Sequence, residues 1–317
     1  MAKVAVTGGA GFIGSNLARR LEQRGHELRI IDDFSTGLRT NLQDLDCRIF
    51  DFSILDVEAL DKSLRGCDWV FHLGARGSVP RSIKEPRATF DVNAMGTLNV
   101  LTLARKHDLR LLFSSSSSVY GHNNQIPKSE VSWTAPMSPY AASKLSAEAL
   151  VQGFSSAFDL PFVTFRLFNV FGPLQRPDHD YAAVIPRWIW QTMKTQCIDV
   201  FGDGNQSRDF TYIDSVIDVF EDTLNRNFDY PTPVNLAFGN NITLKQIIDF
   251  LRERYPDLEV KFRAERKGDV RTSQNDPTLI NNLFPKVRPV AFKEGLKRTH
   301  DWLMNLESPQ SMNANRL

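Results

Sequence analysis

The chain reads as an α/β protein built on a doubly wound parallel sheet, with a smaller C-terminal domain, and three observations predict it. Its first half alternates apolar runs of strand length with amphipathic runs of helical length. Alternation of this kind implies parallel strands joined by crossover helices on both faces. The run Val4-Ala5-Val6-Thr7 passes directly into Gly8-Gly9-Ala10-Gly11-Phe12-Ile13-Gly14, then into a helix with Ile13, Leu17 and Leu21 on one face. A second apolar run, 27–31, ends in Asp32.

Taken in order, strands are expected at 3–7, 27–32, 46–50, 68–73, 109–114 and 161–167, and helices at 12–24, 56–64, 86–106 and 140–157. In the first turn, Gly8 and Gly9 permit a tight bend and Gly11 lets a pyrophosphate approach the backbone. Gly14 lets the helix pack close to the strand. The helix N-terminus then offers free N–H groups to phosphate. This is a Rossmann-type dinucleotide site. Asp32 can accept both ribose hydroxyls of an adenosine, and no Arg follows it to hold a 2′-phosphate, so NAD is favoured over NADP. Asp51 and Phe52 close the third strand on the same edge, where an acid and a ring suit an adenine amine and its face. Asp51 reads equally well as a helix cap. The fourth strand ends in Gly74-Ala75-Arg76-Gly77-Ser78, again at the edge where such sheets bind ligands.

Beyond Phe168 the composition shifts. Segment 169–210 is rich in Gly, Pro, Asn and Asp, with one helix near 183–196. Tyr212-Ile213 and a helix at 214–225 read as a late addition to the main sheet. Short strands follow from 234, with helices at 243–254 and 292–305. The expected division is a dinucleotide-binding domain over 1–168 plus about 210–232, and a substrate domain over about 169–209 and 233–317. The polar last ten residues are expected to fray.

The 38 Lys and Arg nearly balance the 37 Asp and Glu, so no nucleic-acid footprint is expected. No apolar run approaches a membrane span. The first strand starts at once and leaves no room for a signal peptide. Cys47, Cys67 and Cys197 are scattered without a CxxC, which suits a reducing cytoplasm and argues against a disulfide framework. The histidines form no HxxxH pair, and no metal is expected.

The chemistry is concentrated in two stretches. Strand 109–113 runs into five serines, 114–118, followed by Val119-Tyr120. Ser138-Pro139-Tyr140-Ala141-Ala142-Ser143-Lys144 opens a helix, and Tyr140 and Lys144, four apart, share one face. The Lys144 ammonium is expected to pull the Tyr140 phenol below its usual value of about 10. A general base usable near neutral pH results.

Together these residues resemble the extended short-chain dehydrogenase/reductases over nearly the whole chain. The resemblance implies Ser116, Tyr140 and Lys144 as catalytic residues. It implies tightly held NAD at Gly8, Gly11, Phe12, Ile13, Gly14, Asp32, Asp51, Phe52, Leu73, Asn93, Tyr140, Lys144 and Phe168. Three further stretches resemble the nucleotide-sugar enzymes of that family: Phe168-Asn169-Val170-Phe171-Gly172-Pro173, Phe201-Gly202-Asp203-Gly204 with Arg208-Asp209-Phe210, and Arg266-Lys267-Gly268-Asp269. By those motifs Asn169 and Arg208 would hold a UDP diphosphate, Arg266 and Asp269 phosphate and ribose, and Phe201 the uracil. Gly77, Ser78, Ser116, Val184 and Ser273 complete the implied substrate contacts.

Dehydratases and decarboxylases of this family carry an acid just after the catalytic hydroxyl residue. Here Ser117, Ser118 and Val119 follow Ser116. The resemblance therefore implies 4-epimerisation through a 4-keto sugar: Tyr140 takes the 4-OH proton and Ser116 holds the oxygen. Segments 77–82, 181–188 and 270–274 are similar to the UDP-N-acetylglucosamine 4-epimerases. Ser273 falls where enzymes restricted to non-acetylated sugars carry Tyr. Arg76 departs from the small apolar residues usual at its position, and a UDP-hexuronic acid 4-epimerase is the rival reading. A non-catalytic NAD-sensing regulator and an NADPH-releasing reductase are further alternatives. The intact Tyr140/Lys144 pair opposes the first, and Asp32 the second. A homodimer is expected, helices 86–106 and 140–157 pairing as a four-helix bundle with Phe90, Ala94, Leu98, Leu101 and Ala147 on the buried faces.

Overall fold

Six of the expected strands form and lie side by side in a computed structural model that describes residues 1–178, 182–265 and 271–306. They are β1 (Lys3–Thr7), β2 (Glu27–Asp32), β3 (Arg48–Asp51), β4 (Trp69–His72), β5 (Arg110–Ser116) and β6 (Phe162–Leu167). A seventh, β7 (Val234–Leu236), completes a sheet in the order β7-β6-β5-β4-β1-β2-β3. Every pairing in it is parallel.

Parallel sheets need cover on both faces, and the alternation of side chains supplies two cores. Val4, Val6, Ile30, Phe71 and Leu112 face one side, against Leu17 and Leu21 of α1 (Phe12–Gln23). Ala5, Ile31, Val70, Leu111 and Phe113 face the other, against α2 (Val57–Leu64), α3 (Gly96–Lys106) and α4 (Pro139–Phe158). Of the residues expected on buried helix faces, Leu101 and Ala147 cover the sheet, and Phe90 is 40% exposed.

The expected helix 86–106 is interrupted. Pro86–Phe90 is α-helical, Asp91–Met95 takes one π-helical turn, and α3 then resumes. Inserted turns of this kind re-aim a side chain. Here the turn carries Asn93, buried, whose Oδ1 accepts the Arg76 N–H (2.7 Å) and whose Nδ2 donates to Ser143 Oγ (2.9 Å).

Tyr212 does not join the main sheet. Thr211–Tyr212 pairs with Val170–Phe171, and the seventh main strand is β7. Val234-Asn235-Leu236 is fully buried and three residues long; a short strand is expected from 234, but in the substrate domain rather than in the main sheet. Smaller sheets complete the C-terminal part: Cys197–Phe201 pairs with Glu259–Arg263, and Ser207–Arg208 lies between Ile242–Thr243 and Thr272–Ser273. No helix among the described residues is long and apolar enough to cross a membrane, and none of their His, Cys, Asp and Glu side chains cluster as a metal site.

Candidate active site

Parallel strands bring their carboxyl ends to one edge, and two adjoining hollows open there. The first is lined by Gly8, Gly11, Asp32, Phe52, Leu73 and Arg76, among others. Its floor is the glycine turn. Gly8 adopts φ +69°, and a Cβ there would stand 2.7 Å from Gly74 N. A Cβ on Gly14 would stand 2.3 Å from Gly8 O, so α1 can approach the turn only without one. Gly11 caps α1 with no side-chain partner, and no acid occupies the first helical turn. The end of α1 therefore presents unscreened N–H groups and its positive dipole to the hollow. At the tip of β2, Asp32 accepts N–H bonds from Ala10 and Phe34, both 2.9 Å, and burial raises its pKa. Phe52 joins this lining as expected. Asp51 does not: it is exposed and ion-paired with Arg39.

The second hollow is lined by Phe12, Ile13, Leu73, Gly77, Ser116, Tyr140, Lys144, Phe168 and Asn169, together with Gln175. Ser138 caps α4 by accepting the Ala141 N–H, and Pro139 takes the first helical position. That start sets Tyr140 and Lys144 on the face toward the end of β5. Ser116 lines the same hollow as the Tyr140 phenol and acts to lower its pKa. Lys144 Nζ donates to the Ser114 carbonyl (2.8 Å) and is pulled down to about 8 by burial, with Glu148 opposing.

One expectation is corrected here. The Tyr140 phenol is held above its usual pKa, because burial outweighs the effect of Ser116. Lys144 spends a donor on the backbone of β5, and its charge does not offset that burial.

Sequence reasoning missed the supports behind this pair. Glu148, one turn beyond Lys144, is 3% exposed and takes two hydrogen bonds from Arg166 of β6 (2.9 and 2.8 Å). Ser115 Oγ also donates to Glu148, so one carboxylate ties α4, β5 and β6 together. Arg166 Nη1 donates to Tyr120 Oη (2.9 Å), which donates to Asn235 of β7 (2.7 Å). A legible signal existed: Glu148 continues the four-residue spacing of Tyr140 and Lys144, and Arg166 interrupts an apolar strand. Beneath the turn, Thr97 Oγ1 donates to the Asn93 carbonyl (2.6 Å) and so accepts from His72 Nε2 (2.9 Å). His72 Nδ1 is then the acceptor for Thr7 Oγ1 (2.7 Å). Burial, with the Lys144 charge beside it, pushes His72 down to about 3 and keeps it neutral.

The remaining expected residues scatter around this edge. Ser78 caps the helix Val79–Lys84 by accepting the Arg81 N–H, and Val184 opens the helix Val184–Thr195. Neither is among the lining residues of the two hollows. Phe201 ends its strand, and Arg208 lies directly beside Ser273 in the ladder. Next to Arg208, Asp209, fully buried, accepts N–H bonds from Gly239, Asn240 and Asn275, fixing the loops around Ser273. Arg266 and Asp269 lie outside the described residues.

The profile of the NAD dependent epimerase/dehydratase family matches residues 4–237. A putative UDP-glucose 4-epimerase of Methanocaldococcus jannaschii is 31% identical over 311 residues, 95% of this chain and 98% of that one. UDP-glucuronic acid decarboxylase 1 of Xenopus tropicalis is 28% identical over 303 residues, 94% of this chain and 71% of that one. Among solved structures, the UDP-N-acetylglucosamine 4-epimerase of Methanobrevibacter ruminantium M1, in complex with UDP-N-acetylmuramic acid, superposes with a TM-score of 0.90. It is 34% identical, covering 96% of this chain and 98% of that one.

Proposed function

The chain belongs to the NAD dependent epimerase/dehydratase family, and from that premise we propose that it interconverts the C4 epimers of UDP-sugars, including N-acetylated ones. The first hollow fits the cofactor: a turn that admits no Cβ at Gly14, an uncapped helix end, and a carboxylate at the tip of β2. Bound there, NAD supplies the acceptor for the C4 hydride and returns it.

The chain's own residues handle the proton and the sugar. Tyr140, once its own proton has left to solvent, takes the 4-OH proton, and Ser116, in the same lining, holds the 4-oxygen. Lys144, at about 8, keeps its proton in roughly nine of ten molecules at pH 7. It places a positive charge one helical turn from the phenolate that takes the proton. The 4-keto sugar must then present its other face before the proton and hydride come back.

One observation favours this outcome over dehydration or decarboxylation. Among the described residues lining the hollow around Tyr140 there is no Asp or Glu, and no cation besides Lys144. Among those described lining residues no carboxylate is placed to take a C5 proton or to protonate a leaving hydroxyl, and no arginine awaits a C6 carboxylate.

The N-acetyl assignment rests on Ser273, a small residue directly beside Arg208. A sugar that turns over during the reaction needs room for its C2 substituent in two orientations. Ser273→Tyr should exclude UDP-GlcNAc by clash while sparing UDP-glucose, because a packed wall yields only at high cost. kcat/KM for both substrates in both proteins tests this: equal loss on the two sugars, or none, removes Ser273 as the gate.

A homodimer is part of the same proposal. Val79, Ile83, Phe90 and Met95 expose 40, 64, 40 and 47% of their surface along one short stretch. Apolar surface grouped in this way favours a partner.

A further inference from the structure

We propose that Arg76 is an additional ligand for the pyrophosphate of the bound dinucleotide, held ready by Glu85. The residue stands just beyond β4, next to β1, where the order of the sheet reverses. Sheets of this type bind ligands at that point. Arg76 lines the hollow shared with Gly8, Gly11 and Asp32, and is absent from the lining around Tyr140. It therefore belongs with the cofactor rather than with a sugar carboxylate.

Its backbone is fixed, since the Arg76 N–H donates to buried Asn93. At its outer end Nη2 is paired with Glu85, which is itself largely exposed. At its inner end Nε is buried and has no hydrogen-bond partner. A buried donor left without an acceptor is costly. A guanidinium offers five N–H groups in a rigid fork, so Glu85 can hold Nη2 while the Nε–H remains to serve an anion. The carboxylates in the same lining are already engaged: Asp32 accepts from Ala10 and Phe34, and Asp33 from Ser35. An oxyanion placed by the glycine turn and the α1 terminus is the acceptor that suits the free Nε–H.

This inference rests on the cofactor reading of the first hollow. It is tested on wild type, Arg76→Ala, Arg76→Gln and Glu85→Gln, purified as holoenzymes. NAD released on denaturation is quantified, the exchange of bound NAD against isotopically labelled NAD is timed, and UDP binding is measured by calorimetry. Both Arg76 variants should exchange NAD roughly ten- to a hundredfold faster, the loss expected for a hydrogen bond to a charged group. UDP affinity should be unchanged in them, and Glu85→Gln should retain NAD at least as well as wild type. The proposal is overturned if the Arg76 variants hold NAD like wild type, or if their only defect is with UDP-glucuronic acid. It is also overturned if Glu85→Gln loses NAD equally, since the pair would then merely brace the loop. Wild type that neither carries nor exchanges NAD overturns the cofactor reading itself.

Discussion

Two glycines of the first turn face the same oxygen at different distances, and their alanine variants should separate stability from cofactor binding. A Cβ on Gly14 would lie 2.3 Å from Gly8 O and 2.7 Å from Gly9 Cα. Ordinary contact begins near 3.4 Å, so helix and turn must part by about an ångström. Both obstructing atoms are backbone, which places the cost at the upper end of the overpacking range, about 3 kcal/mol. The better helix propensity of Ala offsets about 1 kcal/mol of that. With 317 residues at ~2.1 cal/mol/K each, the net loss of about 2 kcal/mol lowers Tm by roughly 3 °C. On Gly11 the same Cβ would lie 3.2 Å from Gly8 O, a misfit of a few tenths of an ångström. Its φ of −75° suits any residue. Gly11→Ala should leave Tm nearly unchanged yet weaken NAD retention, because the methyl faces the hollow. Calorimetric melting and released NAD measure the two effects. Equal loss of stability in both variants, or none for Gly14→Ala, would refute the steric reasoning.

Further outcomes follow from the same geometry. Tyr140→Phe keeps the ring but removes the proton acceptor, and should lower kcat by roughly a hundred- to ten-thousandfold while UDP binding measured by calorimetry survives. In the free enzyme Lys144 loses its proton near pH 8, so kcat/KM should decline above that pH. Glu148→Gln, which removes the charge that holds Lys144 up, should move this limb to lower pH. His72 takes up no proton in the folded state until about pH 3, whereas an unfolded chain does so near 6.5. Stability should therefore fall as pH drops below 6.5, and His72→Gln should flatten that slope in thermal melts across pH 4–7. Light scattering at micromolar concentration should give a dimer, and Ile83→Glu should shift it to monomer; a monomeric wild type contradicts the assembly proposal.

What could be read from the chain and what could not divide along physical lines. The strands and the glycine turn are local patterns, and β1, β2, β4, β5 and β6 form within two residues of their expected bounds. The Tyr140–Lys144 spacing likewise needs only a helix. Glu148 and Arg166 stand out in the sequence, but which distant residues pair with which is not legible there. Asp51 is exposed and pairs with Arg39, and the phenol pKa rises because of burial that no spacing reveals. The Glu148–Arg166–Tyr120–Asn235 chain joins four elements separated by up to 115 residues. The π-helical turn at Asn93 answers to Arg76 and Ser143, neither of which is its sequence neighbour.

The central claim meets its most direct test in one tube: purified protein, UDP-GlcNAc and no added cofactor, followed through the anomeric proton signals by NMR. The account predicts conversion to a stable mixture with UDP-GalNAc, with no 4-keto-6-deoxy product and no net consumption of NAD. It predicts the same mixture from the reverse direction. Accumulation of a dehydrated sugar, or no conversion of any UDP-hexose by protein that carries NAD, would contradict it.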